Sequence, residues 1–353
     1  MIVVTYIYFF ICLLIMLFTV GYIMYQYYRL RTFKKRVVLF KHIIDKQLNI
    51  IHEHRPLAEK HRTYLIDRLK NMNHLTAYHD ALVSFQDHED VTGYKQAIEP
   101  VIKQLAIYYE KRDDMEKAYF SYFVASHAGG VWQDEVIYRT LSHYLDEPNV
   151  YLRENVLKAL YQQNNPEWIT KAYETLSRQH IDHHQKLIQD GLMRYPYDKQ
   201  LLMEQLFNKR HNFSESILLG VIGFITYETS DYQQKFADWL KEKKVPLEVE
   251  LKLYRYFKKY PTEQVKAHLL AAIKAPQDEK RIVAADVLAE YCCDDVIQAL
   301  KTAMSDHNWF VRRNASRSLL KTDVTIDDLM DILTGHDRYA RAMLRYYLET
   351  EGG

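Results

Sequence analysis

The sequence predicts an all-α protein: an N-terminal transmembrane helix, then a helical stem, then an α-solenoid of stacked helix pairs. Three observations predict it. No Asp, Glu, Lys or Arg occurs in the first 28 residues. Gly and Pro are scarce, at 10 and 8 in 353 residues, while Leu, Ala, Lys, Glu and Gln recur, a balance that favours helix. No segment sustains strand alternation between hairpin turns.

The first element is the run from Ile2 to Met24, nearly continuous in Ile, Leu, Val, Phe and Met. As a helix it is long enough to cross a hydrocarbon core of about 30 Å. Tyr6 and Tyr8 mark one end, and Tyr22, Tyr25, Tyr27 and Tyr28 the other, where amphipathic rings prefer the headgroup region. A cleaved signal peptide would need basic residues before the apolar run and a small-residue site after it; here the charge order is reversed. Residues 1–28 therefore read as an uncleaved anchor.

Six basic residues, Arg29, Arg31, Lys34, Lys35, Arg36 and Lys41, precede the first acid, Asp45. The positive-inside bias places them in the cytoplasm, giving a single-pass protein of the plasma membrane with its N-terminus outside and its C-terminal domain cytoplasmic. They either set topology alone or also attract anionic headgroups. The net charge of the chain is +1, so the remainder is acidic, at −5. That excludes a non-specific nucleic-acid binder, whose affinity would come from clustered Lys and Arg, and no nucleic acid is expected as a partner. Of three cysteines, Cys12 lies in the apolar run and Cys292 and Cys293 are adjacent, a spacing that strains a mutual bridge; free thiols in a reducing compartment are the reading.

Residues 29–93 form the basic juxtamembrane segment and stem. Val37, Phe40, Ile43, Ile44, Leu48 and Ile51 recur at helical spacing, so the first helix continues to an interruption near Pro56. A second helix carries Tyr64, Leu65, Leu69, Met72, Leu75, Leu82 and Phe85 on one stripe, and the two are expected to pair as a hairpin or coiled coil. Residues 94–353 read as helices of ten to eighteen residues separated by brief turns at Gly129-Gly130, Pro148, Pro166, Pro196, Pro246, Pro261 and Pro276.

These helices repeat. LRENVLKAL, from Leu152 to Leu160, aligns without a gap on VRRNASRSL, from Val311 to Leu319, and an acid precedes each Arg by six residues: Glu147 before Arg153, and Asp306 before Arg312. KRIVAADVL, from Lys280 to Leu288, aligns Arg281 with Arg312, and a fainter copy centres on Arg341. The intervals are 31, 29 and four times 32 residues, which places intermediate copies near His184, Ser216 and Val249. A helix pair of about 30 residues cannot bury its own apolar face, so such units stack.

In this the chain resembles the HEAT-repeat family, in which an acid in the turn is followed by an apolar-Arg step opening the second helix. The segment ALKTAMSDHNWFVRRNASRSLL, from Ala299 to Leu320, carries the pattern best, and residues between about 165 and 275 keep only the period. The resemblance implies a curved right-handed solenoid with the second helices lining a concave face. Glu147, Arg153, Arg281, Asp306 and Arg312 read as structural: Asp306 is expected to cap the following helix, and Arg312 to pair with it or with an acid in the adjoining repeat.

No phosphate loop, HExxH, GxSxG elbow or CxxC pair is present, so neither a catalytic residue nor a cofactor is expected. His180, Asp182, His183 and His184 cluster at an inter-helix turn, where His180 and His184 on one helical turn would offer a metal two ligands, an incomplete set. Asp87-His88-Glu89-Asp90 reads as a polar helix end, and Cys292 and Cys293 as small core residues. Among 29 tyrosines, the pairs Tyr108-Tyr109 and Tyr346-Tyr347 cannot both point inward, so some rings face a groove or solvent. The function that fits is a membrane-tethered scaffold whose solenoid binds a protein partner, such as a membrane enzyme or transporter. The alternatives are an enzyme on a HEAT-like scaffold, of nucleic-acid or tetrapyrrole type, and a protein that binds anionic lipid.

Overall fold

A computed structural model describes residues 2–242, 244–322 and 324–351, the side chains of residues 2–4 and 351 excepted. Helices account for all the regular structure among these residues, and no strand forms.

The first helix, α1 (Ile2–His52), runs unbroken for 51 residues. From Tyr6 to Leu30 its large apolar side chains touch no other element and are exposed. Beyond them Phe40, Ile44 and Leu48, spaced by four, are fully buried, because this stretch packs on α3 (Met72–Val83) and α4 (Val91–Ala97). The expected second stem helix is two helices, α2 (Glu59–Leu69) and α3. Asn71 separates them by capping α3, its side chain accepting from the Asn73 N–H at 3.0 Å. The stem is not a separate hairpin. Phe40 meets Tyr78 edge-on at 5.4 Å, the Tyr78 and Tyr94 hydroxyls pair at 2.9 Å, and the Tyr109 hydroxyl donates to the Leu69 carbonyl at 2.6 Å. Packing is therefore continuous across residue 93, where the stem was expected to end.

The chain divides into two compact units, the first holding Met1–Thr175 with Tyr195–Asp198, the second Leu176–Arg194 with everything from Lys199. In the first, α2, α5 (Glu99–Tyr109) and α7 (Glu135–His143) pack side by side as one layer. The C-terminal half of α1, α3, α6 (Asp114–His127) and α8 (Val150–Tyr161) form the other. The core between them is aromatic, with Phe120, Phe123, Trp132, Tyr138 and Tyr144 fully or almost fully buried. α9 (Pro166–Arg178) follows.

In the second unit, α10 (Gln185–Met193), α12 (Glu215–Glu228), α14 (Leu247–Lys259), α16 (Asp278–Val287), α18 (Trp309–Leu319) and α20 (Arg338–Glu351) pack each on the next. Each of α11 (Lys199–Asn208), α13 (Gln233–Leu240), α15 (Glu263–Ala272), α17 (Asp294–Ala303) and α19 (Met330–Leu333) packs on the helix that follows it. From α8 onward the second helices of the pairs begin 29 to 35 residues apart, at Val150, Gln185, Glu215, Leu247, Asp278, Trp309 and Arg338. The copies expected near His184, Ser216 and Val249 thus fall at the starts of α10, α12 and α14. Helix-pair stacking supplies each apolar face with its neighbour, as repeat physics requires.

Candidate functional site

The repeat arginines all occupy the fourth position of a second helix and reach back over its N-terminal turn. Arg153 donates to the Glu147 carbonyl (3.0 Å), Arg281 to that of Ala275 (2.9 Å), Arg312 to that of Asp306 (2.6 Å) and Arg341 to that of Gly335 (2.9 Å), each six residues back. The acid six residues before the Arg therefore serves through its backbone. Its carboxylate pairs with the preceding repeat: Glu147 with Lys117 at 2.6 Å, and Asp306 with the Nε of Arg281 at 2.8 Å. Lys117 occupies the same fourth position of α6. Arg312 thus does not pair with the Asp306 carboxylate, which is already taken. Nor does Asp306 cap the helix: Asn308 is the cap, accepting from the Phe310 N–H at 2.9 Å, and Asp306 accepts from the Asn308 N–H at 2.8 Å. Burial pushes the Asp306 carboxyl up, but Arg281 and that N–H outweigh it and hold it below the usual range.

At the same position in α14 the sequence reverses sign, with Glu250. It is buried, and it accepts from Lys280 of the next repeat at 2.7 Å and from the Tyr254 hydroxyl. Burial raises this carboxyl, but His268, Lys280 and Tyr254 together hold it down to about 2. The link to the next repeat is thus kept with the charges exchanged, but its partner, Lys280, sits within α16 and not in the turn before it.

The histidine cluster does not assemble a metal site. Residues 180–184 are not helical, so His180 and His184 do not share a helical turn. His180 sits at φ +55° as the left-handed residue closing α9, with its N–H on the Ser177 carbonyl and the Ile181 N–H on that of Leu176. His183 is buried, and the Nδ1 of His184 caps α10 by accepting from Lys186 at 3.2 Å. His52, Glu89 and Asp90 do converge, His52 Nδ1 lying 3.1 Å from Asp90, but His52 and Glu89 are exposed and the contact is a hydrogen bond at a helix end. Cys292 is exposed rather than in the core, and Cys293 precedes α17 as its N-cap residue.

Arg29, Arg31, Lys34, Lys35 and Lys41 are exposed along α1, with Arg36 half-buried. Arg31, Lys34 and Lys35 line a shallow groove with Tyr27, Leu30 and Val38. The tyrosine pairs divide as geometry demands. Tyr109 and Tyr347 are buried, while Tyr346 is 58% exposed and Tyr108 lies beneath Lys70 and Arg112.

The arrangement best suited to binding lies between α18 and α20. Trp309, Arg312 and Arg313 line one wall and Tyr339, Ala342, Met343, Tyr346 and Tyr347 the other, around a cavity of about 620 Å³. On each helix these positions follow i, i+3, i+4 spacing, on a face adjoining the stripes Val311, Ala315, Leu319 and Ala340, Leu344 that enter the core. Trp309 is 48% exposed and Tyr339 58%. Arg313 lies over the Trp309 ring at 5.6 Å and donates to the Tyr347 hydroxyl at 3.2 Å; Arg312 and Arg338 lie over Tyr339 at 5.6 and 4.8 Å. Trp, Tyr and Arg are the residues that dominate binding hot spots. Of this groove the sequence reading reached Arg312 and the Tyr346-Tyr347 pair; the paired stripes on successive helices were the signal for the rest.

The family comparison agrees with the helix-pair architecture over the C-terminal residues. Residues 267–349, which include both walls of the groove, match the family model for HEAT repeats. No curated protein sequence matches the chain. A solved structure of human deoxyhypusine hydroxylase in complex with glycerol is similar at 14% identity and a TM-score of 0.30, over 83% of this chain and 96% of that one. On the helix-pair architecture and this match, residues 267–349 carry HEAT repeats.

Proposed function

We propose that the protein is a membrane-tethered scaffold: α1 anchors it by its apolar half, and the helix stack presents the α18–α20 groove to a protein partner. The observation that carries this reading is the exposure of α1. An uncharged stretch of more than twenty residues that finds no partner in its own fold is unstable in water, at roughly 25 cal/mol per Å2 of apolar surface. A bilayer removes that surface from water, and Arg29 to Lys41 then lie at the headgroups. HEAT repeats generally serve protein interaction, and a tether raises the effective concentration of a membrane partner so that a modest groove suffices.

Two measurements test it. The full chain should stay in the membrane pellet after alkaline carbonate extraction, and a chain lacking residues 1–28 should not. Exposed Cys292, as the sole cysteine after C12S and C293S, should react with an impermeant maleimide only once cells are permeabilised. Labelling on intact cells would reverse the orientation, and carbonate-soluble full-length protein would end the tether.

A further inference from the structure

We propose that the α18–α20 groove receives an acidic peptide segment of the partner, its carboxylates held by Arg312, Arg313 and Arg338 and its apolar side chains laid on Trp309, Tyr339 and Tyr346. This rests on the scaffold reading and names the chemistry of the partner it would hold.

The first argument is charge. Among the described residues no carboxylate lies within 4 Å of Arg312, Arg313 or Arg338, although the chain pairs its cations freely elsewhere: Lys199 with Glu228, Arg210 with Glu242, and Lys258 with Asp286, all within 2.8 Å. The two acids nearest in sequence are already committed. Asp306 accepts from Arg281 and the Asn308 N–H, and Asp337 caps α20 by accepting from the Tyr339 and Ala340 N–H groups at 2.9 and 3.1 Å. Two guanidinium groups on the groove wall and a third, Arg338, over the Tyr339 ring outnumber the one acid that interacts with them, Asp337, whose field Arg312 shares while its carboxylate caps α20, so the surface is locally cationic.

The second argument is geometry. Each guanidinium lies over an aromatic ring and spends one nitrogen inside the fold, Arg312 on the Asp306 and His307 carbonyls, Arg313 on the Tyr347 hydroxyl and Arg338 on the Tyr339 hydroxyl; the remaining N–H groups suit a planar acceptor such as a carboxylate. The floor is different in kind: Ala342 and Met343 offer no hydrogen bond, and Met adapts to apolar side chains of varied shape. A ligand matching both must alternate carboxylates with apolar groups, as an acidic peptide carrying Phe or Leu does. A nucleic-acid backbone or a lipid headgroup layer would satisfy the arginines alone.

The test uses the full chain in non-ionic detergent and a fluorescein-labelled twelve-residue peptide of Glu and Phe, read by anisotropy, beside a counterpart with Lys for every Glu. Saturable binding is expected for the first peptide only. The variant R313E/R338E should weaken it at least tenfold and Y346A severalfold, while R313K/R338K keeps part of it and R31E/K34E/K35E leaves it unchanged; thermal melts show whether each variant is folded. Equal affinity in R313E/R338E would overturn the proposal. So would preference for a single-stranded oligonucleotide or for phosphatidylglycerol vesicles over the peptide. A photo-crosslinker at Tyr346 in native membranes separates the two readings. A protein adduct without binding of the acidic peptide overturns the acidic occupant and keeps the scaffold, whereas absence of any protein adduct, with absence of peptide binding, removes both.

Discussion

At the scale of single residues, the clearest repeats carry a long cation at the fourth position of the second helix, in α6, α8, α16, α18 and α20, and its place in the ladder determines its worth. Arg281 is the extreme case: its guanidinium is 7% exposed, and it serves Asp306, Asp278 and the carbonyls of Ala275 and Pro276 together. R281A leaves the half-buried Asp306 without its guanidinium partner, so urea unfolding of the second unit should show a loss of about 1.5–3 kcal/mol. R281K should recover little, since an ammonium cannot reproduce the two-acceptor fork. A second residue-scale effect concerns His79 and His127, buried against each other with ring nitrogens 2.9 Å apart. Burial, His79 and Lys95 push His127 down to about 3, and burial lowers His79 despite Asp80. Between pH 6.5 and 3 the unfolded chain therefore takes up protons that the folded one refuses, and stability is lost as pH falls through that window. Melting of the full chain should drop from pH 7 to pH 5, and H127Q should flatten that drop. Neither effect could be placed from sequence. The spacing of Glu147 to Arg153 and Asp306 to Arg312 was legible, but a six-residue interval does not distinguish a carboxylate from the carbonyl of the same residue. His79 and His127 lie 48 positions apart, and only the packing of α3 on α6 brings them together.

At the scale of elements, helix existence was legible and helix pairing was not. The repeat interval placed the fourth positions of α10, α12 and α14 to within four residues, whereas the caps were not read: Asn308, not Asp306, caps α18, and His184 caps α10. One stripe from Tyr64 to Phe85 nevertheless hid two helices, since the turn at Lys70-Asn71 keeps the apolar phase. Close approach between helices is likewise invisible in one sequence. A Cβ on Gly220 of α12 would lie 2.7 Å from the Ile188 Cβ and 2.9 Å from the Gln185 carbonyl oxygen of α10. G220A should destabilise the second unit by about 1–3 kcal/mol, because neither backbone nor branched side chain can yield without moving a helix. G223A should cost less: its Cβ meets the amide end of Gln189, which can swing away. Denaturation of the two variants side by side checks the contrast. N308A, which removes the α18 cap and the bond its amide donates to Asp278, should cost about 1–2 kcal/mol in the same assay.

At the scale of the whole molecule, α1 holds two roles in one unbroken helix. The apolar run read as an anchor and the stripe Val37 to Ile51 read as a stem are successive parts of it, and the second part belongs to the core of the first unit. Phe40, Ile44 and Leu48 are each at most 1% exposed, against α3. Burial of three such side chains contributes roughly 1.5–3 kcal/mol apiece, comparable in sum to the whole stability of a domain. Two truncations should then behave oppositely. Removal of residues 1–28 takes away no buried side chain among those described, so the shortened chain should remain folded, with a melting temperature close to that of the full chain in detergent. Removal of residues 1–52 strips the cover from Leu75, Tyr78 and Leu82, and the first unit should lose protection against amide hydrogen exchange along α3 and α4 while α16 to α18 keep theirs. Equal exchange in both truncations would mean that α1 is only a tether. The expected difference would mean that the anchor is continuous with the core, so that a pull on the membrane end acts directly on the packing of the first helix pairs.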